Sequence, residues 1–196
     1  MVAEAGDKRT LIFTYGTLKR GFSNHVLLQD LIRSGEAAFV GVFRTTQKYP
    51  LVCGPYRVPF LLNFTGSEHH VRGELYSVTA RGLAKMDELE GTTRGHYERL
   101  PITVFPDPAE NDGDGEVDYG LIEKSVISDG DGSSAMTFAA EAYFAHRSYA
   151  VELWKKNGKR GFECYTEKEA KGYVKRKDRP QNLTFLDHIR LFVISD

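Results

Sequence analysis

The 196-residue chain is poor in cysteine: it has two, Cys53 and Cys164, far apart and in no C-x-x-C pair. That excludes a disulfide framework and a paired-cysteine zinc site, and it reads as two free thiols in a reducing compartment. There is no surplus of one charge either, with 26 Lys and Arg against 27 Asp and Glu and a formal net charge of −1. No overall field therefore draws the chain to nucleic acid or to an anionic membrane. No run approaches the roughly 20 apolar residues that a membrane span needs. The opening, Met1 to Arg9, lacks the apolar core of a secretory signal. These absences predict a cytoplasmic protein with no nucleic-acid or membrane partner, and nothing argues against a monomer. His69-His70 has no second ligand pair, so a polar turn is expected there and no metal site. What remains is ordinary for a soluble globule: 41% apolar residues, enough for one domain with an appendage.

Strand patterns cover Leu11 to Tyr15, Glu36 to Phe43, Val58 to Phe64, Arg72 to Val78, Tyr97 to Phe105 and Met136 to Phe144. Pro59 places the start of the third at an edge or a bend. Two helices stand out. Ser23 or Asn24 can cap the first, with Val26, Leu27, Leu31 and Ile32 as its apolar face. Thr79 caps the second, which carries Leu83, Met86 and Leu89 and stops at Glu90-Gly91. Residues 106–135 are rich in Asp, Glu, Gly and Ser and read as a flexible acidic loop, with a short strand over Val117 to Val126. The segment 155–179 is basic; Thr166-Glu167-Lys168-Glu169 fits a capping box and predicts a helix to about Lys175. Leu183 to Ile194 fits helix and strand periods equally. Many strands with two or three short helices argue for an α+β fold. The expected division is a domain over 1–150 and a C-terminal extension over 151–196, packed on it or flanking it.

The most informative stretch is Thr14-Tyr15-Gly16-Thr17-Leu18, which closes the apolar run Leu11-Ile12-Phe13 and opens a basic turn, Lys19-Arg20-Gly21. A strand ending in a small glycine turn brings backbone N–H groups together. Left unpaired, such groups hold a carboxylate or a developing oxyanion without side-chain charge. Alone, Tyr-Gly-Thr-Leu is also what a packed tyrosine at a strand end looks like. Extended through Lys19-Arg20-Gly21 and Asn24-His25, it resembles the substrate loop of the γ-glutamylcyclotransferase-like family. Tyr49-Pro50-Leu51-Val52, Val58-Pro59-Phe60-Leu61-Leu62 and Gly73-Glu74-Leu75-Tyr76 extend the likeness to the γ-glutamylamine cyclotransferases and the plant avirulence-induced-gene-like proteins. The match runs over about 11–105, with an echo at 136–146; the region after about 150 looks like a plant-type extension.

The resemblance implies a small mixed β-barrel with short helices outside and the cavity at one barrel mouth. It implies a transferase-type enzyme acting on a small-molecule γ-glutamyl substrate, with no metal, nucleotide or redox cofactor. The γ-glutamyl α-amine attacks its own δ-carbonyl, 5-oxoproline forms, and the amine on the δ-carbon leaves. The nucleophile is already tethered, so the enzyme has mainly to freeze one rotamer and move protons. By the same resemblance Gly16, Thr17 and Leu18 offer backbone amides, Tyr15 shapes the wall, and Glu90 is the catalytic carboxylate. The run Met86-Asp87-Glu88-Leu89-Glu90 with Tyr97 and Arg99 after it matches a Leu-Asp-x-x-Glu helix end followed by Tyr-x-Arg, with Met86 in place of Leu. By pattern alone Glu90 is one of several solvated acids, and Asp87, one turn earlier, competes for the same cavity. Lys19, Arg20 and Arg99 either steer an anion or are surface charge. His25 reads as a helix-start hydrogen bonder. Trp154, Phe162, Tyr165 and Tyr173 in the basic tail are either a nucleic-acid strip or the apolar face of a solvated helix. A non-catalytic binding module on the same fold is the alternative function.

Overall fold

The computed structural model describes residues 8–107, 124–128 and 134–195. Among these residues eight strands form one sheet: β1 (Thr10–Thr14), β2 (Ala37–Thr45), β3 (Leu51–Cys53), β4 (Pro59–Leu61), β5 (Arg72–Val78), β6 (Tyr97–Pro106), β7 (Lys124–Ser128) and β8 (Ser134–Ala145). The path β1-β5-β2-β6-β8 returns to β1 through a parallel β1–β8 pairing, Ile12 against Glu141 and Phe13 against Ala142. Five strands thus close a mixed barrel. β8 is long enough to serve several partners: its first half takes β7, its second half takes β6 and β1, and Phe144 takes Leu61 of β4.

Alternation along the strands splits the core in two. Phe13, Phe43, Leu75, Val104 and Phe138, one from each closing strand, belong to a single buried cluster that fills the barrel. Their neighbours Ile12 and Tyr76 face outward, into a second cluster with residues from the surrounding helices. Those helices are α1 (His25–Arg33), α2 (Ala80–Glu90), α3 (Ala150–Lys156), the single turn α4 (Glu167–Ala170) and α5 (Phe185–Ile194).

The caps of α2 are as the sequence predicts. The Thr79 hydroxyl accepts from Gly82 N–H at 3.1 Å, and Gly91 ends the helix at φ 66°. In α1 the buried face is Leu28 and Leu31, while Val26 and Ile32 are exposed, so the apolar stripe is rotated from the one expected. Asn24 stands at the N-cap without capping; its amide instead donates to the Thr17 hydroxyl at 2.9 Å. The helix expected to Lys175 stops after one turn. Its capping box forms, but Lys171 leaves helical geometry at ψ 119° and Gly172 turns at φ 87°. This lets Val174 N–H reach the Tyr56 carbonyl at 3.2 Å. The undecided segment 183–194 is the helix α5, started by a capping box between Thr184 and Asp187. The strand expected over Val117 to Val126 and the acidic loop lie mostly outside the described residues; β7 begins at Lys124.

The C-terminal residues pack on the barrel. Tyr165 is fully buried, lies tilted against Phe22 with ring centroids 5.2 Å apart and donates its hydroxyl to the Arg57 carbonyl at 2.8 Å. Phe162 N–H reaches the Leu51 carbonyl. The aromatic residues of the tail are thus committed to packing, Trp154 and Tyr173 against the outer cluster and Phe162 and Tyr165 against the inner one. Cys53 and Cys164 are free thiols, and burial pushes Cys53 up to about 11. Among the described residues no helix is long and apolar enough to cross a membrane, and no three His, Cys, Asp or Glu gather as metal ligands.

Candidate active site

The loop after β1 and the last residue of α2 meet at one mouth of the barrel. A narrow cavity opens there, and its walls include Tyr15, Gly16, Thr17, Leu18, Glu90 and Tyr143. All five predicted site residues therefore line one cavity. The loop is bound into a tight turn by Lys19 N–H to the Gly16 carbonyl (3.1 Å) and Asn24 N–H to the Thr17 carbonyl (3.0 Å). His25 Nδ1 lies 2.9 Å from the Leu18 carbonyl, so this histidine is the helix-start bonder expected. The N–H groups of Gly16, Thr17 and Leu18 have no hydrogen-bond partner among the described residues. Three free donors in succession form a concavity suited to an anion.

Gly16 is required by space. A Cβ added to it would stand 2.5 Å from Pro59 Cγ, closer than real Cβ contacts come. Pro59 is itself fixed: it lies in β4, paired with Cys53, and its carbonyl accepts the Tyr97 hydroxyl at 3.0 Å.

Glu90 is partly exposed, and it stands at the cavity wall. Burial raises its pKa to about 7; the Arg176 charge opposes the shift and Asp87 adds to it. No group among the described residues donates a hydrogen bond to it. Its charge instead acts on Tyr15, Tyr97, Tyr143 and Tyr149, each already pushed up by burial. A carboxyl group poised near neutrality and free of partners suits proton transfer.

Asp87 is differently placed. It holds Arg99 Nε at 2.9 Å and accepts the Tyr143 hydroxyl at 2.8 Å; Arg99 also pairs with Glu141. These contacts lock α2 onto β6 and β8. The Tyr143 carbonyl in turn accepts the Tyr15 hydroxyl. Asp87 thus supports the wall without lining the cavity. Arg20 is likewise occupied, paired with Glu74 at 3.0 Å and stacked on Phe39. Lys19 is buried and donates to the Tyr165 carbonyl at 2.8 Å. Tyr143 is the wall residue that motif reading missed; only its place in the weaker echo at 136–146 pointed toward it.

Because Asp87 repels the Glu90 carboxylate, Asp87→Asn should lower the Glu90 pKa. Where Glu90 acts as the base, the acid limb of the kcat/KM profile should then move below pH 7, with a smaller loss of rate than removal of Glu90 causes. An Asp87→Asn variant that is dead beside an active Glu90→Gln would move the base to Asp87.

Three comparisons bear on this arrangement. Residues 12–154 match the family model described as γ-glutamyl cyclotransferase, AIG2-like. The chain is 59% identical over 186 residues to the Arabidopsis thaliana protein named "Putative gamma-glutamylcyclotransferase At3g02910", covering 95% of this chain and 92% of that one. It is 47% identical over 95 residues to the Homo sapiens γ-glutamylaminecyclotransferase, covering 48% of this chain and 61% of that one. A crystal structure of an AIG2-like protein from Mus musculus superposes with a TM-score of 0.60 at 25% identity, over 87% of this chain and 99% of that chain.

Proposed function

Since the chain belongs to the γ-glutamyl cyclotransferase, AIG2-like family, we propose that it converts γ-glutamyl compounds to 5-oxoproline and a free amine at the cavity between the Tyr15–Leu18 loop and Glu90. The observation that carries this reading is the pairing of an unbonded carboxyl group, poised near pH 7, with a run of free backbone N–H groups across one small cavity.

In this reading the N–H groups of Gly16, Thr17 and Leu18 hold the anionic oxygens of the substrate, and the tyrosine wall folds its chain back on itself. The reaction is an isomerising cleavage: the bond from the α-nitrogen to the δ-carbon forms, and the bond from the δ-carbon to the leaving nitrogen breaks. Two protons must pass from the attacking nitrogen, an ammonium at the start and a lactam N–H at the end, to the leaving one. Glu90 accepts them as its carboxylate and returns them as its acid, a role typically worth about 10²–10⁴-fold in rate. Its pKa near 7 lets both forms exist at neutral pH. Loop N–H groups facing the δ-oxygen would stabilise the tetrahedral oxyanion.

The test is 5-oxoproline release from ε-(γ-glutamyl)lysine, γ-glutamylalanine and glutathione. Release from at least one is expected, and the members turned over name the leaving group. No release from any, with folded protein that 5-oxoproline stabilises against heat, would favour a binding module instead.

A further inference from the structure

Helix α2 ends against its own electrostatics. Its last turn carries Asp87, Glu88 and Glu90 and no basic residue, at the end where the backbone dipole already disfavours negative charge. The last carbonyls of a helix also lack partners within it. Two guanidiniums from outside the helix answer both needs. Arg94 donates to the Glu88 carbonyl at 2.7 Å, and Arg176 donates to the Leu89 carbonyl at 3.0 Å. Arg94 follows closely on α2, whereas Arg176 comes from the C-terminal residues, 87 positions beyond Leu89.

Arg176 is delivered by a fixed piece of backbone. It opens a short 3₁₀ turn, Arg176–Asp178. The next residue, Arg179, is 9% exposed, with its guanidinium over Tyr56, Tyr173 and Phe185 at 5.0–5.7 Å. Arg179 Nε donates to the Val174 carbonyl at 3.0 Å, and the Gln181 amide donates to the Arg176 carbonyl at 3.2 Å. The chain is thus tied down on both sides of Arg176, while Arg176 itself is exposed and reaches the residue immediately before Glu90.

The Arg176 charge is also felt at Glu90, where it works against the burial that raises the carboxyl group. The other titratable groups that act on Glu90 or feel its charge are Tyr15 from the loop, Asp87 from α2, Tyr97 from β6, Tyr143 from β8 and Tyr149 before α3. Arg176 supplies this set with its positive charge. His96, whose ring packs against Gly91, is pushed down to about 4 by burial and by Arg94 and Arg176, so it is neutral at pH 7.

We propose that Arg176 is a positioning residue for Glu90: from the C-terminal residues it pins the last turn of α2 and holds the carboxyl group toward the cavity. The inference rests on the cyclotransferase reading and deepens it. Arg176 touches no reacting atom in this role. It fixes the backbone on which the base stands, and its charge favours the carboxylate that accepts the first proton.

The experiment follows 5-oxoproline release from γ-glutamylalanine, ε-(γ-glutamyl)lysine and glutathione as a function of pH. Arg176→Gln should lower the plateau of kcat about 10-fold with little change in KM, and should move the acid limb of kcat/KM up by about half a pH unit, because the carboxylate loses a cation that favours it. Arg176→Lys keeps a charge and a donor and should recover most of both effects. Lys177→Gln removes the same charge from the next residue and should show neither. A carboxyl-carbon NMR titration, with Glu90 assigned by its absence from Glu90→Gln, reads the same shift without turnover. An acid limb that stays in place in Arg176→Gln would overturn the proposal, since a purely structural contact lowers the rate without moving the limb. A loss confined to KM would overturn it too, by making Arg176 a substrate contact. If none of the three compounds yields 5-oxoproline, the cyclotransferase reading falls, and the NMR titration still decides the coupling: a Glu90 pKa that rises in Arg176→Gln upholds it, and one that does not move overturns it.

Discussion

Glu90→Gln should fold and lose turnover by about 10²–10⁴-fold, since the amide keeps the shape of the side chain and neither takes nor gives the proton. The same substitution should make the protein more stable above neutrality. The Glu90 pKa is raised from 4.5 to about 7, so the folded state holds its proton more tightly than the unfolded chain does. Stability is then greatest below pH 4.5 and declines as pH rises to 7, where folding must bury a charge. The loss amounts to about 1–3 kcal/mol, scaled down for the partial exposure of the residue. Glutamine carries no charge to bury. Its Tm should exceed that of wild type at pH 8, and the gap should close near pH 4.5. Thermal melts of both proteins across that range, beside the 5-oxoproline assay, check both halves. Full activity in Glu90→Gln would remove it as the base. A Tm difference that ignores pH would mean that the carboxyl group is not held against its charge.

Gly16→Ala should lower kcat/KM by about 100-fold with only a modest loss of stability, about 1–3 kcal/mol. The added methyl would stand 2.5 Å from Pro59 Cγ, and Pro59 cannot retreat while Tyr97 holds its carbonyl and β3 its strand. The loop must move instead, carrying the Gly16, Thr17 and Leu18 N–H groups away from the cavity. The loss should appear mainly in kcat if those donors serve the transition state, and in KM if they serve only to bind the substrate. An alanine variant with wild-type kinetics would show that the loop amides are not used.

What could be read before the fold was known follows a physical line. Signals confined to a few neighbouring residues were legible: the strand before Tyr15, the Thr79 and Gly91 caps of α2, the capping box at Thr166. The convergence of the loop and Glu90 was legible only through the family resemblance that the two motifs carry. The helix expected to Lys175 failed where a tertiary contact, Val174 to Tyr56, outweighs a good local start. The stripe of α1 was misread because Val26 and Leu28 both fit an apolar period, and only docking against the barrel selects Leu28. Tyr143 and Arg176 belong to the site region through contacts between residues 128 and 87 positions apart. No window of sequence holds both ends of such contacts.

The burial of Lys19 has a consequence for inheritance. Its ammonium, next in sequence to the loop amides, is satisfied by the Tyr165 carbonyl, 146 residues downstream, and Tyr165 fills space beside Phe22. A premature stop codon between residues 150 and 165 would spare every strand of the barrel and every predicted site residue. It would nonetheless strip the acceptor from a buried cation and open a hole behind the Tyr15–Leu18 turn. Such an allele, harmless by a map of motifs, would be transmitted as a lesion of the loop.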